Sequence, residues 1–232
     1  MSSKTFKILL IVMIYLQNSP VILTDVSPSI VTVAQNVTVV RGEEVVLGCS
    51  VHNLGSHQQI VWRRGFEVLA AGPIRLKLDT RYSVVLGIGS SQLTIQSVRM
   101  EDGGEFVCQV QTQDDGLKEV KHSLVVQVPP TIQPIPVEGS LTARQGESVS
   151  LRCNATGVPI PTIAWHKSVG TAPGGHPSCG GSCYTIPYVD LAASGDYICS
   201  AVNGVGHPQH ATLTLNVLCE YCSLQTNFVP GK

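Results

Sequence analysis

One pattern, written twice, constrains this chain more than anything else in it. Cys49 closes the alternating run Val45-Val46-Leu47-Gly48-Cys49, Trp62 follows in Gln59-Ile60-Val61-Trp62, and Cys108 ends Asp102-Gly103-Gly104-Glu105-Phe106-Val107-Cys108. The same order returns as Val149, Leu151 and Cys153, then Trp165, then Ser194-Gly195-Asp196-Tyr197-Ile198-Cys199. A period of two aims Val45, Leu47 and Cys49 at one face of a strand, and Val149, Leu151 and Cys153 likewise. The 232 residues therefore read as two all-β units of about 100 residues each.

Each repeat resembles an immunoglobulin sandwich, in which a Cys on strand B bonds to a Cys on strand F of the facing sheet and a strand C Trp packs on the bridge. The resemblance implies the pairs Cys49 with Cys108 and Cys153 with Cys199, each closing a long loop and contributing about 4 kcal/mol in the chain-entropy model. The first cysteines are 59 positions apart, room for the C′ and C″ strands of a variable-type domain; the second span, 46, suits an intermediate-type domain. Residues 27–128 and 129–218 are the expected domains, after a signal peptide over 1–26 and before a tail over 219–232.

Within the first domain, 27–40 reads as an edge strand, Ile60 and Trp62 point inward on strand C, and Phe66 to Ala71 forms a further strand. Leu93, Ile95 and Val98 supply strand E, matched in the second domain by Tyr184, Ile186 and Val189. Arg81 resembles the Arg that pairs with the family's Asp, here Asp102, as a structural rim pair. Ala193 stands at the equivalent place in the second domain, which lacks that pair. Phe106 replaces the corner Tyr and loses its hydroxyl, whereas Tyr197 keeps it. Val128-Pro129-Pro130 joins the domains with no Gly/Ser tether, implying limited bending.

The rest of the sequence speaks to compartment. Lys4 and Lys7 precede the apolar run Ile8 to Leu16, too short to span a bilayer and suited to a secretory signal cleaved between Ser19 and Ser27. Nothing later is apolar enough to cross a membrane, and eight cysteines fit an oxidising compartment. Net charge of −1 leaves no electrostatic footprint for nucleic acid. Asn36-Val37-Thr38 and Asn154-Ala155-Thr156 are glycosylation sequons, expected on strand A′ and at the start of the B to C loop.

Four further cysteines, Cys179, Cys183, Cys219 and Cys222, have zinc-like spacing, but Cys183 and Cys219 should leave opposite ends of the sandwich. Two local disulfides, Cys179 with Cys183 and Cys219 with Cys222, are the preferred reading; an intermolecular bridge is left open. No metal and no cofactor are expected. Seven histidines lie in no nucleophile and base arrangement, so an enzyme is not expected; His166 reads as an outward surface residue.

Val61-Trp62-Arg63-Arg64-Gly65, Asp102 to Val110, Val128-Pro129-Pro130 and Asn203-Gly204-Val205-Gly206-His207-Pro208 together resemble neural adhesion proteins of the immunoglobulin superfamily, of the klingon and lachesin type and the vertebrate IgLON group. Those families are typically three-domain, lipid-anchored proteins that bind through their first domain. The tail is too short and polar for a glycolipid signal, leaving open a soluble form or a piece of a longer anchored protein. The resemblance implies an extracellular or surface-associated recognition protein that binds immunoglobulin-type ectodomains, homophilically or heterophilically. A soluble immune-recognition or ligand-sequestering protein is the runner-up. The expected partner surface is the outer face of strands C, C′, F and G: Val61 and Arg63 on C, Val107, Gln109 and Gln111 on F, with Leu69 and Ile74 adding apolar contact from C′ and C″.

Overall fold

A computed structural model describes residues 27–112, 116–170 and 174–219. The segment read as a signal peptide, and the tail apart from Cys219, lie outside the described residues. The first sandwich opens with β1 (Ser29–Ile30), β2 (Asn36–Val40), β3 (Val45–His52), β4 (Ile60–Arg64) and β5 (Glu67–Ala71). It continues with β6 (Ile74–Arg75), β7 (Tyr82–Gly87), β8 (Ser90–Ile95), β9 (Gly104–Gln111) and β10 (Leu117–Ile135). One sheet has the order β1-β3-β8-β7, and the facing sheet runs β10-β9-β4-β5-β6 with β2 paired parallel to β10. The segment expected as one edge strand over 27–40 is thus two short strands in different sheets, because β1 pairs with β3 while β2 pairs with β10.

The second sandwich uses β11 (Ser140–Arg144), β12 (Val149–Val158), β13 (Thr162–Lys167), β14 (His176–Ser178), β15 (Cys183–Ile186), β16 (Gly195–Val202) and β17 (Gln209–Leu218). β11-β17-β16-β13 forms one sheet; in the other, β14-β15-β12 pairs onto the far half of β10. A single strand therefore closes the first domain and opens the second. Asn203 ties the turn after β16 to this junction, donating its amide to the carbonyls of Val128 at 2.8 Å and Pro159 at 2.9 Å. Gly206 is needed nearby, since it holds a left-handed φ of 66° and a Cβ there would sit 3.4 Å from the Pro129 ring.

Alternation builds both cores. Val45, Leu47, Cys49 and Val51 on β3 face Ile60 and Trp62 on β4, Leu93 and Ile95 on β8, and Phe106, Cys108 and Val110 on β9, all buried. Cys49 is bonded to Cys108 across the sheets, and Cys153 to Cys199. Trp62 is fully buried, and its indole donates to Ser91 Oγ at 2.9 Å, so burying the N–H leaves no unpaired donor. Trp165 is less enclosed than the strand C Trp packed on its bridge that the resemblance implies. It is only half-buried against its cluster, because among the described residues β13 is the edge of its sheet and no strand flanks its outer side.

Arg81 meets Asp102 through two nitrogens, at 2.5 and 3.1 Å, and Tyr82 donates its hydroxyl to the same carboxylate at 2.8 Å. The pair reaches deeper than the rim expected from the sequence: Asp102 is 2% exposed and Arg81 half-buried. Burial works against the carboxylate's charge, yet Arg81, the Arg99 amide and Tyr82 hold its pKa down at about 2. Breaking such a pair by removing one partner costs about 3–5 kcal/mol. In the second domain Ala193 occupies the matching site; Asp190 accepts its amide at 2.9 Å, and the Tyr197 hydroxyl donates to its carbonyl at 2.8 Å. That corner is held, without an ion pair, by one backbone amide bond to a carboxylate and one hydroxyl bond to a carbonyl, around a small buried residue.

His122 stands in the core with no hydrogen-bond partner for either ring nitrogen, 5.8 Å from the Trp62 ring. Burial pushes its pKa down, so it folds neutral. The unfolded chain binds the proton first, so this contribution to stability is complete above about pH 6.5 and falls as pH drops through that value, by up to about 1.4 kcal/mol per pH unit. Calorimetric unfolding of the His122→Leu variant should show a flatter dependence between pH 7 and 5 than the parent; parallel curves would remove this residue from the acid response.

Candidate functional site

Register places the side chains of the outer face in rows. Lys121 on β10 stands opposite Val107 on β9, which stands opposite Arg63 on β4, itself opposite Val68 on β5. The next row runs Glu119, Gln109, Val61, Ala71 and Ile74. Gln111 begins a third with Leu117. Thus β4, β5, β6, β9 and β10 bring Val61, Arg63, Val107, Gln109, Gln111 and Ile74 onto one surface.

The charges on this surface satisfy one another. Arg63 donates to Gln109 Oε1 at 2.8 Å, to Glu119 Oε2 at 2.9 Å and to the Gly65 carbonyl at 2.9 Å. Lys121 lies 3.3 Å from Glu105 and 3.9 Å from Glu119. Each exposed pair adds only about 0–1 kcal/mol to stability, so its main effect is to hold Arg63 flat across the sheet. Toward β6 the character changes. Ile74, Leu76 and Val68 are exposed apolar side chains beside half-buried Val61, leaving an apolar track next to a self-neutralised polar one. An apolar patch bordered by polar groups is the composition found at protein-binding surfaces.

Two of the residues expected on this surface require correction. Leu69 is 1% exposed and belongs to the core: the β4 and β5 pairing shifts register between Trp62 and Arg63, so Trp62 faces Ala70 while Arg63 faces Val68. The extra residue, Leu69, turns inward, which strict alternation would not allow. Val107 does lie on the outer side, between Phe106 and Cys108 of the core, but it is 1% exposed. It is flanked in its row by Arg63 and Lys121, long side chains whose stems cover it. Val61, Arg63 and Gln109 are half-buried, Gln111 and Ile74 exposed. The sequence reading omitted Val68, which the same bulge brings out, and Leu76, which follows Ile74 by two.

The other singled-out residues fall elsewhere. Asn36 is exposed at the start of β2, and Asn154 is exposed within β12, opposite Gln133, rather than in the loop after it. Cys179 is bonded to Cys183, which removes both thiolates from any zinc site. Cys219 is also disulfide-bonded, and Cys222 lies outside the described residues. His166 is exposed on β13.

A model of the immunoglobulin domain matches residues 27–111 and 129–203, and the chain belongs to that family. Among curated proteins it is similar to the basement membrane-specific heparan sulfate proteoglycan core protein of Mus musculus, 36% identical over 148 residues, or 62% of this chain. The chain spans 4% of that relative's length. Among solved structures it is similar to DIP-gamma IG1+IG2, with a TM-score of 0.68, 30% identity, and coverage of 83% of this chain and 98% of that one. It is also similar to a structure of Dpr11 IG1 bound to DIP-gamma IG+IG2, with a TM-score of 0.69, 29% identity, and coverage of 82% and 98%. These structural neighbours are immunoglobulin-domain proteins, in the second case bound to one another.

The inward turn of Leu69 separates two otherwise similar substitutions. Leu69→Asp buries an unpaired carboxylate and should destabilise the first domain by about 3 kcal/mol or more, whereas Ile74→Asp should stay within about 0.5 kcal/mol of the parent. Urea denaturation followed by tryptophan fluorescence measures both.

Proposed function

We propose that this chain is an extracellular recognition protein of cell adhesion, whose first domain binds another immunoglobulin-type ectodomain through the outer face of β4, β5, β6, β9 and β10. The observation that carries this reading is the apolar track of Val61, Val68, Ile74 and Leu76 beside charges already paired within the chain. Such a surface can dry at its centre without stranding a charge. Likeness to a structure in which two immunoglobulin-domain proteins are bound supports the class of partner. The resemblance to the klingon, lachesin and IgLON groups supports a place in the nervous system. Nothing favours the soluble immune or sequestering alternative.

The proposal extends to processing. Residues 1–26 act as the signal peptide, residues 27–128 and 129–218 are the folded domains, and Asn36 and Asn154 carry N-linked glycans, both being exposed. Glycosidase treatment of protein secreted from animal cells should lower its mass in two steps, and the Asn36→Gln and Asn154→Gln variants should each lose one.

For binding, Ile74→Asp and Val61→Asp should each weaken association of the first domain with its partner, measured by surface plasmon resonance or bead aggregation, by about 30-fold or more if they sit at the centre of the contact. The thermal unfolding of Ile74→Asp should match the parent. Unchanged binding in both variants, with loss on a comparable change in the second domain, would place the site elsewhere.

A further inference from the structure

Among the described residues no strand lies beside the outer edge of β13, yet that edge is not bare. The short 3-10 turn Cys179–Gly181 lies over it: the Trp165 indole donates to the Gly181 carbonyl at 3.0 Å, and a Cβ at Gly181 would come within 3.2 Å of the Ile163 carbonyl. The turn thus stands where a C′ strand would shield Trp165. Its backbone is unusual. Cys179, Gly180 and Gly181 all hold left-handed φ, at 51°, 67° and 97°, a run that no ordinary helix or strand would retain unaided. Cys179, the one non-glycine of the three, is bonded to Cys183 at the start of β15, which closes the turn onto the sheet.

The three bridges with both cysteines among the described residues differ sharply in access. Cys49, Cys108, Cys153 and Cys199 are each at most 2% exposed, whereas Cys179 is exposed and its partner Cys183 is buried. We propose that Cys179–Cys183 is a thiol-exchange site, and that it latches the Cys179–Gly181 turn as a removable cover over Trp165 and the β13 edge. The co-reactant is a dithiol. One of its thiolates attacks the exposed Cys179 sulfur, the S–S bond breaks, and the electron pair leaves on the Cys183 sulfur, which takes up a proton. The second thiolate attacks the mixed disulfide and releases Cys179, which is also protonated. The dithiol is oxidised by two electrons to its own disulfide, and the protein gains two thiols. With the latch open, the left-handed turn has no covalent closure, Trp165 loses its acceptor, and β13 presents an uncovered edge of the kind that accepts an added strand.

The test uses the full chain and graded dithiothreitol, with alkylation and peptide mapping of every cysteine alongside iodide quenching of tryptophan emission. The chain has two tryptophans, and Trp62, wholly buried and bonded to Ser91, serves as the internal reference. Cys179 and Cys183 should be alkylated at reductant levels that leave Cys49–Cys108 and Cys153–Cys199 intact, and emission should shift to the red with greater iodide quenching at the same levels. The Cys179→Ala, Cys183→Ala double variant should show that shift without reductant and no further change with it. Alkylation of Cys153 and Cys199 together with or before Cys179 and Cys183 would overturn the exchange site. Alkylation of Cys179 and Cys183 with unaltered emission, in parent and variant, would overturn the cover.

Discussion

Strand β10 is the element on which both sandwiches depend. Its first half supplies Leu124 and Val126 to the first core and pairs with both β2 and β9; its second half pairs with β12 and completes a sheet of the second domain. One backbone cannot rotate independently in its two halves, so the register of one domain constrains the other wherever the strand stays extended. The break in pairing between Val128 and Thr131, where Pro129 and Pro130 have no amide to donate, is the place where this transmission can relax. Asn203 fills that gap in the ladder by donating to Val128 from the second domain.

The two domains solve the same packing problem with different chemistry. Around Asp102 the first uses an ion pair, a tyrosine hydroxyl and a capping amide, whereas around Ala193 the second uses Asp190 and the Tyr197 hydroxyl. Phe106 lacks the hydroxyl of Tyr197, yet each ring carries a cation over its face, Arg64 at 5.5 Å from Phe106 and Lys167 at 5.7 Å from Tyr197. Among the described residues the first domain has five strands beside the half of β10 it owns, including β5 and β6, whereas the second ends its corresponding sheet at β13, with a disulfide-closed turn against that edge. The broader sheet is the one that can offer a contact surface.

Much of this was legible in the sequence, because it rests on local periodicity. Cys49, Trp62 and Cys108, with their counterparts, lie on strands whose alternation is undisturbed, and the inward faces of β3, β8, β9, β12 and β15 follow from counting by two. Leu69 escaped that count because a bulge adds one residue to β5 without leaving a glycine or proline to mark it. The burial of Val107 depends on Arg63 and Lys121 from neighbouring strands, which a single strand's pattern does not contain. His122 looked like one of many scattered histidines; only its position two residues from Leu124 on the inward side of β10 makes it a core residue. The shelter given to Trp165 by Gly181 joins residues 16 apart through a hydrogen bond that no motif announces.

The parallel pairing of β2 with β10 sets Asn36 opposite Ser123, in line with Glu105 on β9 and so on the same side of the sheet as Arg63 and Lys121. Val37 and Val39, its neighbours, take the inward positions. A branched sugar rooted at Asn36 would then cast a steric shadow over one margin of the sheet while leaving the opposite margin, at Ile74, open. An approaching ectodomain would be turned sideways by that shadow. The bulk of the carbohydrate, rather than any additional side chain, would thereby set the angle at which two such molecules could meet.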